Sequence, residues 1–258
     1  MEIISYNIWD LPLWFLRNRD KRLLEIAQFL TDRGSEIICL QESWNLQHRA
    51  LFSAHMRKHG YHDAVQLAKI KRNNGGLLTF STFPIKSVRF IAFGRWGVSV
   101  SEFIGNKGVL ETIVETPKGL LRVLNIHLHY ESSRLLKTTA IRRHQLRKLF
   151  SFIKNDPAMP TLLAGDFNQD HMLQTPTFRK LFEQQGFFHH EDATATAPTY
   201  RAENPLVNNW INRVSASKRY DYILFKDVEQ LGLVVNTYDV LYMQVPLSDH
   251  DPVILSFQ

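Results

Sequence analysis

The chain has 258 residues, and 31 Lys+Arg against 25 Asp+Glu give it a net charge of +6 with His neutral. At 44% hydrophobic and 22% charged residues it is not a mainly disordered chain, and it can bury a core without staples. Its one cysteine, Cys39, excludes a disulfide framework and a cysteine-based zinc site. The positive balance fits an anionic partner: nucleic acid, a phosphorylated small molecule or a membrane surface.

Glu2 to Asn7 reads as a first strand. Arg19 to Arg33 reads as a helix with Leu23, Leu24, Ile26, Ala27 and Leu30 on its apolar face, ended by Gly34. Glu36 to Leu40 is a short buried strand, with Cys39 as a small core residue, and Leu46 to Lys58 a helix. The middle is β-rich: Asp63 to Leu67, Gly76 to Phe80, Ile85 to Phe93, Lys107 to Glu115 and Leu120 to His129. Leu135 to Ile153 is a second long helix, Met159 to Ala164 a strand and Phe178 to Gln184 a short helix. Strands at Tyr220 to Phe225, Gly232 to Thr237 and Pro252 to Ser256 close the chain.

Two strand–helix–strand halves with β-rich stretches predict an α/β fold of two packed sheets flanked by helices. No repeat, linker or low-complexity tract interrupts it, so one domain over residues 1–258 is expected. No apolar run approaches the roughly 18 residues of a membrane span. The first residues lack a basic-then-apolar leader pattern, so a cytoplasmic or peripheral membrane location is expected, export without a cleaved signal aside.

Polar residues gather where apolar strands end, which is where α/β folds collect reactive groups. Asn7 follows EIISY, where it reads as a turn-former or a site residue. Glu42 follows IICLQ, and a carboxylate there suits a hard cation such as Mg²⁺, which takes oxygen ligands. His127 and His129, in NIHLHY, share one strand face. A zinc pair would need further ligands at persuasive spacing; His129 reads as a rim histidine, and His127 as the better catalytic candidate.

In LLAGDFNQD, Asp166 and Asn168 have i, i+2 spacing, and Gly165 permits close approach. The Asp can orient water and the Asn can donate to a phosphoryl oxygen; an Asx-turn is the bland alternative. Asp249 and His250 precede the last strand. His250 suits a general base, and Asp221, polar within the strand YDYILF, is its natural orienting partner. Lys107, in GNKG, either meets a phosphate or sits solvated in a turn.

Taken in order, YNIWD, CLQES, IHLHY, GDFNQD, YDYIL and SDHDP resemble the endonuclease/exonuclease/phosphatase superfamily of Mg²⁺-dependent phosphodiesterases over nearly the whole chain. Asn106-Lys107-Gly108, the helix segment RRHQL, the doubled histidine and the loop WDLPLWF are similar to the neutral sphingomyelinase branch. Where the family often has Thr before the first His, this chain has Ile126, on the opposite strand face. The Pro-Ala-Trp-type segment of inositol 5-phosphatases is absent before Asp221.

The resemblance implies a four-layer α/β sandwich of two mainly antiparallel sheets between helices. It also implies Mg²⁺, with Mn²⁺ as a substitute, as one or two ions on Glu42 and Asn7. Asp166 would orient water, His250 held by Asp221 would activate it, Asn168 and His127 would donate to phosphoryl oxygens, and Asp249 would support the metal. Attack would be in line, with no covalent intermediate.

Two substrate classes compete, each acted on by a monomer. A lipid headgroup at a membrane surface is favoured by the resemblance and by the apolar cluster with Trp9 and Trp14; Lys107 would assist. Trp96 is a further loop aromatic. Nucleic acid is favoured by the charge and by the basic runs KIKRNN and RLLKTTAIRRHQLRK, which also read as the solvated face of an amphipathic helix. A scaffold that has lost catalysis is the third reading; the full set of expected residues counts against it.

Overall fold

A computed structural model describes residues 1–11, 19–68, 74–94, 96–98, 104–130, 138–154, 156–190, 197–207 and 216–258. The strands are β1 (Glu2–Asp10), β2 (Ile37–Ser43), β3 (His62–Asp63), β4 (Leu78–Ser81), β5 (Ile85–Ala92), β6 (Gly108–Thr116), β7 (Gly119–His127), β8 (Thr161–Asp166), β9 (Asp221–Lys226), β10 (Val235–Val240) and β11 (Val253–Phe257). The helices are α1 (Arg19–Arg33), α2 (Leu46–Lys58), α3 (Ala64–Leu67), α4 (Thr138–Ile153) and α5 (Pro176–Glu183).

One sheet has the order β10-β11-β1-β2-β4-β3, the other β5-β6-β7-β8-β9. Neighbours are antiparallel except β1–β2 and β7–β8, which run parallel. Those two parallel pairs lie near the middle of their sheets and bring the C-terminal ends of four strands to one edge of the sandwich.

Side-chain alternation assembles the layers. On β1, Ile3 faces the second sheet, while Ile4, Tyr6 and Ile8 face α1 and α2. Helix α1 buries Leu23, Ile26, Ala27 and Leu30, at the i, i+3, i+4, i+7 spacing of one helical face. Leu24, read from the sequence as part of that face, is 61% exposed. On the far side, Leu146, Leu149 and Phe150 of α4 and Phe178 and Phe182 of α5 cover the β5–β9 sheet. Each such fully buried side chain contributes about 1.5–3 kcal/mol relative to exposure. The result is the expected helix–sheet–sheet–helix sandwich.

Local differences from the sequence reading have identifiable causes. Asp63 to Leu67, expected as a strand, keeps only His62–Asp63 in the sheet, because the Asp63 carboxylate accepts from the Gln66 N–H at 3.1 Å and caps the one-turn helix α3. The strand expected from Gly232 starts at Val235, since Gly232 takes a left-handed φ of 60° and closes a 3-10 turn over Val228–Leu231.

Candidate active site

The space between the sheets grades from apolar to polar along the strands. Ile3, Ile37, Val123 and Leu162 form its apolar part. Ser5, Gln41 and Asn125 follow as a buried polar layer. The Asn125 amide donates to Leu40 O at 3.1 Å and Leu78 O at 2.8 Å, and its carbonyl accepts from Gln41 Nε2 at 2.8 Å. Asn125 therefore joins the β7 strand to β2 and β4 of the opposite sheet. One alternation further on come Asn7, His127 and Asp166, all buried.

Glu42 reaches this layer by breaking the strand rule. Gln41 already points inward, so a regular strand would turn Glu42 outward. Its φ of +60° and the register shift between Asn7 and Asp10 turn it in instead. A non-glycine residue in the left-handed region costs of order 1–3 kcal/mol, which the surrounding structure must hold in place. Its Oε1 lies 3.7 Å from His127 Nε2, which is 3.5 Å from Asp166 Oδ2.

Gly165 explains the glycine in AGDFN. Its φ is +150°, and a Cβ there would lie 2.0 Å from Ile126 O on the paired strand. The chain leaves β8 at Asp166 and turns at Asn168, φ +50°. Asp166 Oδ1 accepts from the Asn168 N–H at 2.7 Å, so an Asx-turn does form. It coexists with a place in the site: Asp166 Oδ2 accepts from Asn7 Nδ2 at 3.0 Å and from Asn168 Nδ2 at 3.1 Å. The backbone is therefore not extended through Asn168.

Across from these, His250 Nδ1 bonds Asp221 Oδ2 at 2.7 Å, and His250 Nε2 faces Asp166 Oδ2 at 4.0 Å. The Thr199 hydroxyl also donates to Asp221 Oδ2, at 2.6 Å. Ser248 Oγ donates to Asn7 O at 2.6 Å and to Asp249 Oδ1 at 3.2 Å, tying the last loop to β1. Tyr200 sets its ring 5.2 Å from that of His250.

Charge crowding shapes the protonation of the cluster. Burial pushes the Asp166 carboxyl up to about 6 and that of Asp249 up to about 7, against the pull of His250 in each case. Burial also raises Glu42, which Lys107 opposes. His127 falls well below its ordinary value, first through burial and then through Lys107 and His250, so it is a neutral imidazole. Burial also opposes charge on His250, but Asp221, Asp166 and Asp249 outweigh it and hold the imidazole well above its ordinary value.

This donor set fits a divalent cation. Glu42, His127 and Asp166 offer atoms within 4.8 Å of one another, as do Asp166, Asp221 and His250. Glu42 Oε2, both ring nitrogens of His127 and Asp221 Oδ1 are buried without a hydrogen-bond partner among the described residues. Buried carboxylates left this short of donors are costly unless something cationic satisfies them.

The sequence-predicted residues Asn7, Glu42, His127, Asp166, Asn168, Asp221, Asp249 and His250 thus meet at one mouth. His127 finds its neighbours on β2 and β8 rather than in a zinc pair with His129, whose backbone N–H donates to Gln145 Oε1 at 2.9 Å. Arg142 of the RRHQL segment donates to Gln169 Oε1 at 2.7 Å and to His129 O at 3.3 Å, so the segment braces the loops after β7 and β8. Lys107 is buried beside the cluster and donates to Leu128 O at 2.9 Å.

Trp9, φ +50°, is half-buried, and Arg22 lies over its ring at 5.4 Å. Trp14 lies outside the described residues. Sequence reasoning missed Asn125, Thr199, Ser248 and Trp44, whose ring is 6.4 Å from that of His127. Only Asn125 carried a signal, a polar side chain in phase with His127 after the apolar pair Val123-Leu124.

The sequence pattern of the Endonuclease/Exonuclease/phosphatase family matches residues 4–250, and the chain belongs to that family. A Caenorhabditis elegans protein named as a putative neutral sphingomyelinase is 24% identical over 96% of this chain, which spans 63% of that relative's length. Sphingomyelinase C from Streptomyces griseocarneus superposes with a TM-score of 0.75 at 17% identity, over 99% of this chain and 98% of that one. A beta toxin of Staphylococcus aureus with bound magnesium ions superposes with a TM-score of 0.75 at 17% identity, over 100% and 99%. A humanized D. rerio TDP2 gives 0.71 at 15% identity, over 100% and 98%. Among the described residues no helix is long and apolar enough to cross a membrane.

Proposed function

We infer that this chain is a Mg²⁺-dependent phosphodiesterase that cleaves a phospholipid of sphingomyelin type by in-line attack of water, releasing a phosphorylated headgroup. The observation that carries the chemistry is the Asp221–His250 pair at 2.7 Å, facing the carboxylate cluster across 4.0 Å. Asp221 holds Nδ1 and leaves Nε2 directed at Asp166, where it can take the proton of a water that Asp166 orients.

Glu42 and Asn7 are the residues that would hold the ion, with Asp166 and Asp249 beside them. When bound, the cation stabilises negative charge on the phosphoryl oxygens. Asp221, Asp166 and Asp249 favour the charged imidazole of His250, and an ion held by Glu42 and Asn7 would weaken that pull and favour the neutral, proton-accepting form. Neutral His127 donates one N–H, and Asn168 its amide, toward a phosphoryl oxygen.

The lipid reading is supported by the C. elegans relative and by the likeness to sphingomyelinase C. The +6 charge and the basic runs support nucleic acid as the second reading. Purified chain assayed on sphingomyelin, lysophospholipids, phosphoinositides and supercoiled plasmid, with Mg²⁺ or EDTA, decides between them. Headgroup release from sphingomyelin that EDTA abolishes is the expected result. Plasmid nicking without lipid turnover refutes the lipid assignment, and turnover in EDTA refutes the metal.

A further inference from the structure

Helix α4 buries Ile141, Arg142, Gln145, Leu146, Leu149 and Phe150 and presents Arg143, His144, Arg147, Lys148 and Ser151 on its other side. From Thr138 to Lys154 there is no Asp or Glu. A helix face that only meets water ordinarily mixes signs, because opposite charges at i, i+4 stabilise and like charges destabilise by a few tenths of a kcal/mol. Here Arg143 and Arg147 stand at i, i+4, and among the described residues neither makes a hydrogen bond or ion pair. Lys148 Nζ donates to Phe93 O at 3.2 Å.

Among the described residues the acids near this face are already matched. Glu111 pairs with Arg89 and with Arg122 at 3.0 Å, and Asp156 pairs with Arg89 at 2.5 Å and Arg122 at 3.5 Å. Two arginines and two carboxylates cancel, so among the described residues the charge of Arg143, Arg147, Lys148 and Lys154 is left unbalanced.

Between β5 and α4 lies a cleft of about 470 Å³ lined by Ile91, His144, Arg147, Lys148, Ser151 and Phe152. Its floor is apolar and its rim cationic. Trp96, 54% exposed, stacks on His144 with ring centroids 4.5 Å apart, and Phe152 is 37% exposed. Cations with amphipathic aromatics beside an apolar cleft match the headgroup region of an anionic bilayer, where each part finds its preferred surroundings. A nucleic acid backbone would use the cations and leave the apolar floor unfilled.

We propose that the outer face of α4, with the β5–α4 cleft and Trp96, docks the protein on membranes that carry anionic phospholipids, through their phosphate headgroups. This rests on the lipid reading of the active site and adds where the enzyme meets the bilayer. The inner side of the same helix braces the site loops through Arg142 and Gln145. The docking face and the bracing of the site loops are thus two sides of one helix.

The test is co-sedimentation of the full chain with phosphatidylcholine vesicles, with and without phosphatidylserine, comparing parent, R143Q/R147Q and Trp96→Ala. Each basic residue near an anionic surface is worth about 1 kcal/mol, or about fivefold. R143Q/R147Q should therefore bind phosphatidylserine vesicles about 25-fold more weakly. Its melting temperature and its turnover of a water-soluble phosphodiester should stay at parental values. Trp96→Ala should weaken binding to the same vesicles. Parental binding by R143Q/R147Q overturns the proposal, as does loss of short-duplex DNA binding with vesicle binding retained. If the parent hydrolyses no lipid yet shows arginine-dependent vesicle binding, the docking surface stands and the catalytic reading falls.

Discussion

Asn125→Ala tests whether the polar layer beneath the site holds the two sheets in register. Asn125 is fully buried and donates to Leu40 O at 3.1 Å and Leu78 O at 2.8 Å. Its carbonyl accepts from Gln41 Nε2 at 2.8 Å, but that amide also reaches Ser5 Oγ at 3.2 Å and Cys39 O at 3.3 Å. The main loss is therefore a donor at each of two buried carbonyls. At about 1–2 kcal/mol each, plus a small cavity, the change should cost about 3–4 kcal/mol. That is a large part of the ~5–15 kcal/mol available to a domain, and it should lower Tm by about 10 °C. Because Leu40 lies two residues before Glu42, the Mg²⁺ concentration for half-maximal turnover should rise as well. Thermal and urea melts with a Mg²⁺ titration of diester hydrolysis measure both. A loss under about 1 kcal/mol with an unaltered Mg²⁺ midpoint would refute the reasoning.

Three further outcomes are expected. Asp221→Asn should leave the fold intact and lower kcat by about 10³–10⁴, because an amide neither fixes the His250 tautomer nor balances its charge; a loss under tenfold in steady-state kinetics would remove Asp221 from its orienting role. Gly165→Ala should abolish soluble folded protein, since its Cβ would lie 2.0 Å from Ile126 O; a cooperative melt near the parental Tm contradicts this. Glu2 is opposed by burial, but Arg33 and Ser35 hold its carboxyl below the ordinary value. Its stabilising contribution is thus present above the unfolded-state pKa and fades as pH falls through the lower folded one. Glu2→Gln should cost stability at neutral pH and little below that window, and a Tm deficit equal at all pH values from neutral to acid would count against it.

Much of the site was legible because its residues sit at the ends of apolar strands. Asn7 after EIISY, Glu42 after IICLQ, Asp166 after LLAG and Asp221 opening YDYILF each mark the point where a buried strand reaches polar surroundings. Alternation alone put His127 and His129 on one face, while Asn125, in phase with them, was passed over. Other features were not local. That β1 lies beside β2 and β7 beside β8 in parallel depends on long-range pairing, for which neither strand carries a signal by itself. Glu42 turns inward only because of its left-handed backbone, which its sequence neighbours do not demand.

The sequence by itself determined the kind of chemistry: which carboxylates, amides and imidazoles are present, in what order, and on strands of what polarity. Its composition set the charge, and its apolar spacing set which faces would be buried. Tertiary structure decided the electrostatics. Asp166 rises to about 6 and Asp249 to about 7 because segments distant in sequence bury them together in one water-poor mouth beside other carboxylates. It also decided the meaning of the positive charge. The cations of α4 became a surface only when the helix buried its apolar stripe and turned Arg143 and Arg147 outward, away from any acid among the described residues that could pair with them.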